Sequence, residues 1–138
     1  MTFLEIRTAS RRQMVNVTAQ LHEVVASAAV THGLCHVHVP HTTASVVVNE
    51  SADPDVARDL LAAYQAMVPS VRFAHAEGNS DAHLMATLLG SSITLPIEDG
   101  RLVLGTWQGI FFVELDGPRT RKLWVTVIQG PLAERAGV

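Results

Sequence analysis

The stretch ITLPIEDGRLVLGTWQGIFFVELDGPRTRKLWVTVIQ, Ile93 to Gln129, decides the fold class. It reads as strands over Ile93–Ile97, Leu102–Gln108, Ile110–Leu115 and Arg121–Gln129. Glu98-Asp99-Gly100 and Asp116-Gly117-Pro118 supply the tight turns between them. Strands in adjacent runs, not strictly alternating with helices, predict an α+β fold with mainly antiparallel sheet rather than a doubly wound parallel one.

Working outward, about three helices are expected. Leu84, Met85, Leu88 and Leu89 form an apolar side for a short helix opening at Asn79 or Ser80, with Gly90 as its C-terminal cap. Before it, Asp53-Pro54 is a strong helix start, since Asp caps orphan amides and Pro suits the first helical position. Val56, Leu60, Leu61, Tyr64 and Met67 follow at helical spacing, and Pro69 marks the end. Leu34 to Val48 is strand-like, with His36 and His38 on one face, Val37 and Val39 on the other, and Pro40 at an edge, bulge or break. Asn16 can cap a helix running to about Thr31, with Val17, Leu21, Val24, Val25 and Ala28 as its stripe and Gly33 ending it. Thr2–Thr8 suggests a first strand.

The chain has 138 residues, 48% of them hydrophobic, which fits one domain, residues 1–138, with a core that needs no disulfide. A net charge of −3 with no basic segment argues against a phosphate-backbone nucleic-acid binder. The apolar stretches are too short and broken to span a bilayer, and Met1 to Arg12 has no apolar signal-peptide core. With one cysteine, Cys35, a cytoplasmic chain is the expectation. Cys35 reads as a small apolar filler.

Three polar clusters could carry chemistry. The first is Pro40-His41-Thr42-Thr43-Ala44, with Asn49-Glu50 closing the same run. The threonines could instead satisfy loose backbone groups at a strand edge, and Glu50 could be a base, a ligand or a charge favouring the next helix. The second runs from His75 to His83, with Glu77, Asn79 and Asp81 between. Two imidazoles from a loop–helix junction plus His41 from a strand could close on one divalent cation, and imidazole suits zinc better than magnesium. The alternative is solvated or backbone-bonded histidines, with Glu77 and Asp81 as helix-start carboxylates. The third is Gly105-Thr106-Trp107-Gln108 with Glu114-Leu115-Asp116-Gly117-Pro118-Arg119. Gly105 inside a strand suggests a bulge or close ligand approach. Arg119 could hold a phosphate or pair with Glu114 or Asp116. His36 and His38 could line a site or face another subunit.

His41-Thr42-Thr43-Ala44, Asn49-Glu50, Gly78-Asn79-Ser80-Asp81-Ala82-His83, Leu104-Gly105-Thr106-Trp107-Gln108 and Asp116-Gly117-Pro118-Arg119 together resemble the YjbQ family, also called UPF0047. The resemblance runs from about Phe3 to Gly130. It implies an α+β fold with antiparallel sheet, a homotrimer, and a histidine-containing pocket in which a metal ion is plausible. It also implies a weak, secondary thiamine-phosphate synthase activity, which joins a pyrimidine pyrophosphate to a thiazole phosphate. On that reading His41, His75 and His83 hold the metal, zinc before magnesium. Glu50 and Arg119 serve the chemistry. Thr42, Thr43, Asn79, Gly105, Gln108 and Arg119 bind a small phosphorylated or anionic molecule. Two alternatives use the same residues: a metal-dependent hydrolase, and a non-enzymatic trimer that binds a metal or an anion. No Gly-rich phosphate loop is present, which weighs against two phosphorylated substrates as the main physiological load.

Overall fold

The computed structural model describes residues 1–130. Two antiparallel sheets carry the fold. The first has five strands in the order β1 (Thr2–Arg7), β8 (Thr120–Gln129), β3 (Gly33–His38), β5 (Ser92–Glu98) and β6 (Arg101–Leu102); the second has β2 (Gln13–Asn16), β7 (Gln108–Glu114) and β4 (Ala44–Glu50). Among the described residues three helices complete it: α1 (Thr18–Ala28), α2 (Pro54–Met67) and α3 (Ser80–Leu89). The expected α+β architecture with antiparallel pairing and three helices is the one found. Among the described residues no helix is long and apolar enough to cross a membrane.

The main core lies between the sheets. Cys35, Val37, Leu123 and Val125 point in from the first, Ala44, Val46, Ile110 and Phe112 from the second, and α1 seals it with Leu21 and Val25. The opposite face of the small sheet is covered by a second cluster, Val113 and Leu115 against Ala82, Met85 and Ala86 of α3. Strand β7 is therefore covered on both faces, which is why Ile110–Leu115 is continuously apolar except at Glu114. Among the described residues nothing covers the outer face of the large sheet, where Phe3, Leu34 and Ile128 are exposed. Cys35 is buried, and burial pushes its thiol up to about 11.

Local chemistry explains most element ends. Asp53 Oδ1 accepts the Asp55 amide at 2.9 Å, and Pro54 opens α2. Gly90 closes α3 at φ +91°, and Asp99 and Gly100 both take positive φ, the signature of a type I′ hairpin turn.

Four expectations change. The helix expected from Asn16 to Thr31 is shorter, because Asn16 pairs with Phe111 as the end of an unforeseen strand, β2, and Ala29 turns left-handed at φ 53°. Asn16 still serves the helix start through its side chain, which accepts the Thr18 amide at 3.1 Å. Gly33 does not end that helix; it begins β3, where a Cβ would lie 1.9 Å from the Ile128 carbonyl oxygen. The strand expected over Leu102–Gln108 stops at Leu102. The chain turns instead, with the Gln108 side chain accepting the Gly105 amide at 2.8 Å and the Gly105 carbonyl accepting the Gln108 amide at 3.0 Å. Gly105 thus lies in a turn, not inside a strand. The Leu34–Val48 run does break at Pro40, one of the options expected there, and what changes is that the two strands it separates join different sheets.

Candidate functional site

β3 ends at His38, Pro40 follows two residues later without an amide to donate, and the chain passes from one sheet to the other through His41, Thr42 and Thr43. This crossing forms one wall of a hollow of about 490 Å³. His75 and His83 come from the approach to α3 and its first turns, Asn79 from its start, and Arg119 and Arg121 from the turn into β8. A neighbouring hollow of about 610 Å³ shares the Pro40–Thr42 wall and His83, and continues over Val39, Ala86 and Gly90. Seven expected site residues therefore surround one place: His41, Thr42, Thr43, His75, Asn79, His83 and Arg119.

The other three do not. Register pairs Ala44 with Glu114 at the cleft end of β4–β7, and Glu50 with Gln108 at the far end. Six steps of about 3.3 Å put Glu50, Gly105 and Gln108 about 20 Å from the cleft within one chain. There the Ser51 amide donates to the Trp107 carbonyl at 2.8 Å, so the Gly105–Gln108 turn is pinned beside Glu50.

The side chains in the cleft are held in definite roles. His41 Nε2 accepts the Lys122 amide at 2.9 Å. A nitrogen that accepts an N–H carries no proton, so a neutral His41 keeps its proton on Nδ1 as a donor. Burial, with the Arg121 charge behind it, holds this imidazole below its ordinary value, although Glu114 pulls the other way. The rings of His75 and His83 stand edge to face with centroids 5.6 Å apart. Arg119 donates through Nε to the Asp116 carbonyl at 2.8 Å and through Nη2 to the Asp116 carboxylate at 3.0 Å. Asn79 donates to the same carboxylate oxygen at 2.9 Å. Burial works against ionisation of Asp116, but these donors outweigh it and keep its carboxyl below the usual range. Asn79 Oδ1 is buried and receives no hydrogen bond from the described residues.

The three histidines of the expected metal set line one hollow without forming a close ligand group. Among the described residues no three His, Cys, Asp or Glu side chains converge to hold an ion. His75 and His83 are neighbours, but His41 spends Nε2 on the Lys122 amide and would have to give up the Nδ1 proton to ligate.

Two residues beneath the cleft were not singled out as site residues from sequence: Arg121, which lines it, and Glu114, which holds Arg121 through a two-point pair. A signal existed. Arg121 alternates in phase with buried Leu123 and Val125, and Glu114 is the one charge in an apolar run.

A family model described as UPF0047 protein YjbQ-like matches residues 2–130. The UPF0047 protein YugU of Bacillus subtilis is 39% identical over 127 residues, 91% of this chain and 96% of that protein. A UPF0047 protein of Archaeoglobus fulgidus is 41% identical over 128 residues, 91% of this chain and 98% of that one. Among solved structures, a YjbQ/UPF0047 protein of Clostridium acetobutylicum superposes with a TM-score of 0.90 at 44% identity, covering 93% of this chain and 100% of that chain. A YbjQ-like protein of unknown function from Sulfolobus solfataricus gives 0.89 at 35% identity, over 94% of this chain and 96% of that one.

Proposed function

Because this chain belongs to the UPF0047 YjbQ-like family, we propose that its histidine-lined cleft binds a small phosphorylated or anionic molecule and that a weak thiamine-phosphate synthase-type transfer is the reaction to test there. One observation carries the reading: side chains rich in N–H and O–H groups, His41, Thr42, His75, His83 and Arg119, converge on one hollow from separate parts of the chain. Such groups hold phosphate oxygens and stabilise charge on a departing pyrophosphate. Thr42, Thr43 and Arg119 are the proposed phosphate ligands, and Arg119 also faces the leaving group; Asn79, whose amide N–H is turned to Asp116, enters the proposal by holding that carboxylate beside Arg119. The adjoining hollow over Val39 and Ala86 suits an uncharged organic part of the same molecule.

Glu50, Gly105 and Gln108 enter this proposal only from a neighbouring copy, consistent with a proposed homotrimer. The open outer face of the large sheet, with Phe3, Leu34 and Ile128 exposed, is surface such an assembly can cover. A second reading, a divalent metal with zinc before magnesium, is favoured by the His75–His83 pair alone.

Calorimetric titration with inorganic pyrophosphate tests the first reading. Saturable binding lost in His83→Ala and Arg119→Ala supports it; absence of binding by the wild type refutes it. Rescue of a thiamine-requiring host, abolished by His41→Ala, is the expected result for the transfer, and rescue that survives that substitution puts the reaction elsewhere. Metal analysis of untagged protein from metal-replete cells decides the second reading, which falls if the wild type carries no metal. Sedimentation decides the trimer.

A further inference from the structure

The interior between the two sheets ends, at the cleft, in a charge pair instead of apolar side chains. The Glu114 side chain is 0% exposed and that of Arg121 is 6%. Glu114 Oε2 accepts Arg121 Nε at 2.8 Å and the Thr8 hydroxyl at 3.0 Å. Oε1 accepts Arg121 Nη2 at 2.5 Å and the Asp116 amide at 3.1 Å. Arg121 Nη2 in turn donates to Thr43 Oγ1 at 2.9 Å and leans on the Thr43 carbonyl at 3.3 Å. The Thr8 hydroxyl that serves Glu114 also accepts the Arg119 amide at 2.8 Å.

One carboxylate thus ties three parts of the cleft to one another. It reaches the His41–Thr43 crossing through Arg121, the Asp116–Arg119 turn through the Asp116 amide and Thr8, and the start of α3 through Asp116, which holds Asn79. The turn is pressed onto the pair: a Cβ on Gly117 would lie 2.7 Å from Glu114 Cγ. A buried ion pair is a poor source of stability, because a well-packed apolar pair of similar volume is often as stable or more so. What an apolar pair cannot do is fix the direction of four hydrogen bonds at once.

We propose that Glu114 and Arg121 are the positioning pair of the cleft, setting Thr43, Asp116 and Arg119 in register with His41 for an anionic ligand. The ligand half of this proposal rests on the anion reading above; the positioning half does not.

The experiment compares wild type, Glu114→Gln and the apolar double variant Glu114→Leu/Arg121→Met by thermal unfolding, amide hydrogen exchange and pyrophosphate titration. In the double variant the melting temperature is expected to stay near wild type and the core amides of Phe112 and Val125 to keep their protection. The Arg119 and Lys122 amides, which face Thr8 and His41, should exchange at least tenfold faster, and pyrophosphate should bind at least tenfold more weakly. A stable double variant with unchanged exchange at Arg119 and Lys122 overturns the positioning role. If the double variant does not fold, Glu114→Gln decides by the same two amides, because it keeps shape and loses the charge. Absence of pyrophosphate binding by the wild type refutes the anion reading instead, and the exchange data still judge the pair.

Discussion

Replacing Arg121 by Met isolates the cost of leaving Glu114 alone. The methionine fills most of the volume, so packing changes little. The carboxylate, fully buried, keeps the Asp116 amide and the Thr8 hydroxyl but loses the guanidinium that pairs with it. Removing one partner of a buried pair costs about 3–5 kcal/mol. Over 138 residues, at about 2.1 cal/mol/K per residue, the unfolding entropy is about 0.3 kcal/mol/K, so the melting temperature should fall by about 10–17 °C at pH 8. The size of this fall depends on pH in a direction that can be worked out. In the wild type, burial opposes ionisation of Glu114, but Arg121, the Asp116 amide and the Thr8 hydroxyl together hold its carboxyl below the usual range. It therefore stays ionised and paired down to moderate acidity. In Arg121→Met the burial dominates, the folded-state value rises above the unfolded one, and protonation on acidification relieves the penalty. The gap between variant and wild type should narrow from pH 8 to pH 5, read by calorimetry or circular dichroism in matched buffers. A fall under about 5 °C at pH 8, or a gap of the same size at both pH values, would refute the reasoning, since each means that Glu114 is neither dry nor dependent on Arg121.

Acidification should also weaken the wild type. His41 is held below its ordinary value, so unfolding takes up a proton there once the pH falls below about 6.5; Glu114 and Asp116, both depressed, add to the loss as the pH falls through their folded values. The guanidinium midpoint should be lower at pH 5 than at pH 8, and an equal or higher midpoint contradicts this. Asp53→Ala removes the cap on the Asp55 amide and should cost about 1 kcal/mol, visible as a lower urea midpoint with unchanged slope. Gly33→Ala would drive a Cβ into the Ile128 carbonyl, backbone against backbone, and should cost about 1–3 kcal/mol or more by forcing β3 and β8 apart; a change within 0.5 kcal/mol, roughly the scatter of surface substitutions, would show that this contact relaxes freely.

Local signals were legible wherever one residue type has one physical use. Asp53-Pro54, Asp99-Gly100 and Gly90 stand where their chemistry places them. The runs that form β5, β7 and β8 are legible as strands from apolar patterning bounded by turn residues. Strand β2 was not legible, because Gln13 to Asn16 is only four residues long and its register comes from β7. The split of Leu34–Val48 into two sheets was half legible: Pro40 signals a break, but a break does not say that the next strand joins other partners. The site shows the same limit. Periodicity tells which face of a strand a residue takes, not how far its two ends lie from one another. His41 and Glu50 flank a single apolar run, and that run holds them about 20 Å apart. His75, Asn79 and His83 were brought to His41 by packing of α3 on the small sheet, through Val113 and Met85, which no motif encodes.

The buried Cys35 has a practical consequence for these measurements. It is the chain's one cysteine, and its thiol is both enclosed and pushed up to about 11. At neutral pH it is neither reachable nor ionised, so the natural sequence is already silent toward maleimides and other thiol reagents. A cysteine introduced at exposed Thr87, on the rim of the larger hollow, would be the single reactive thiol. A fluorophore or spin label there would report occupancy of the cleft, and another at exposed Trp107 would report whether the far end of β7 comes near it in an assembly, without first stripping the protein of its own thiols.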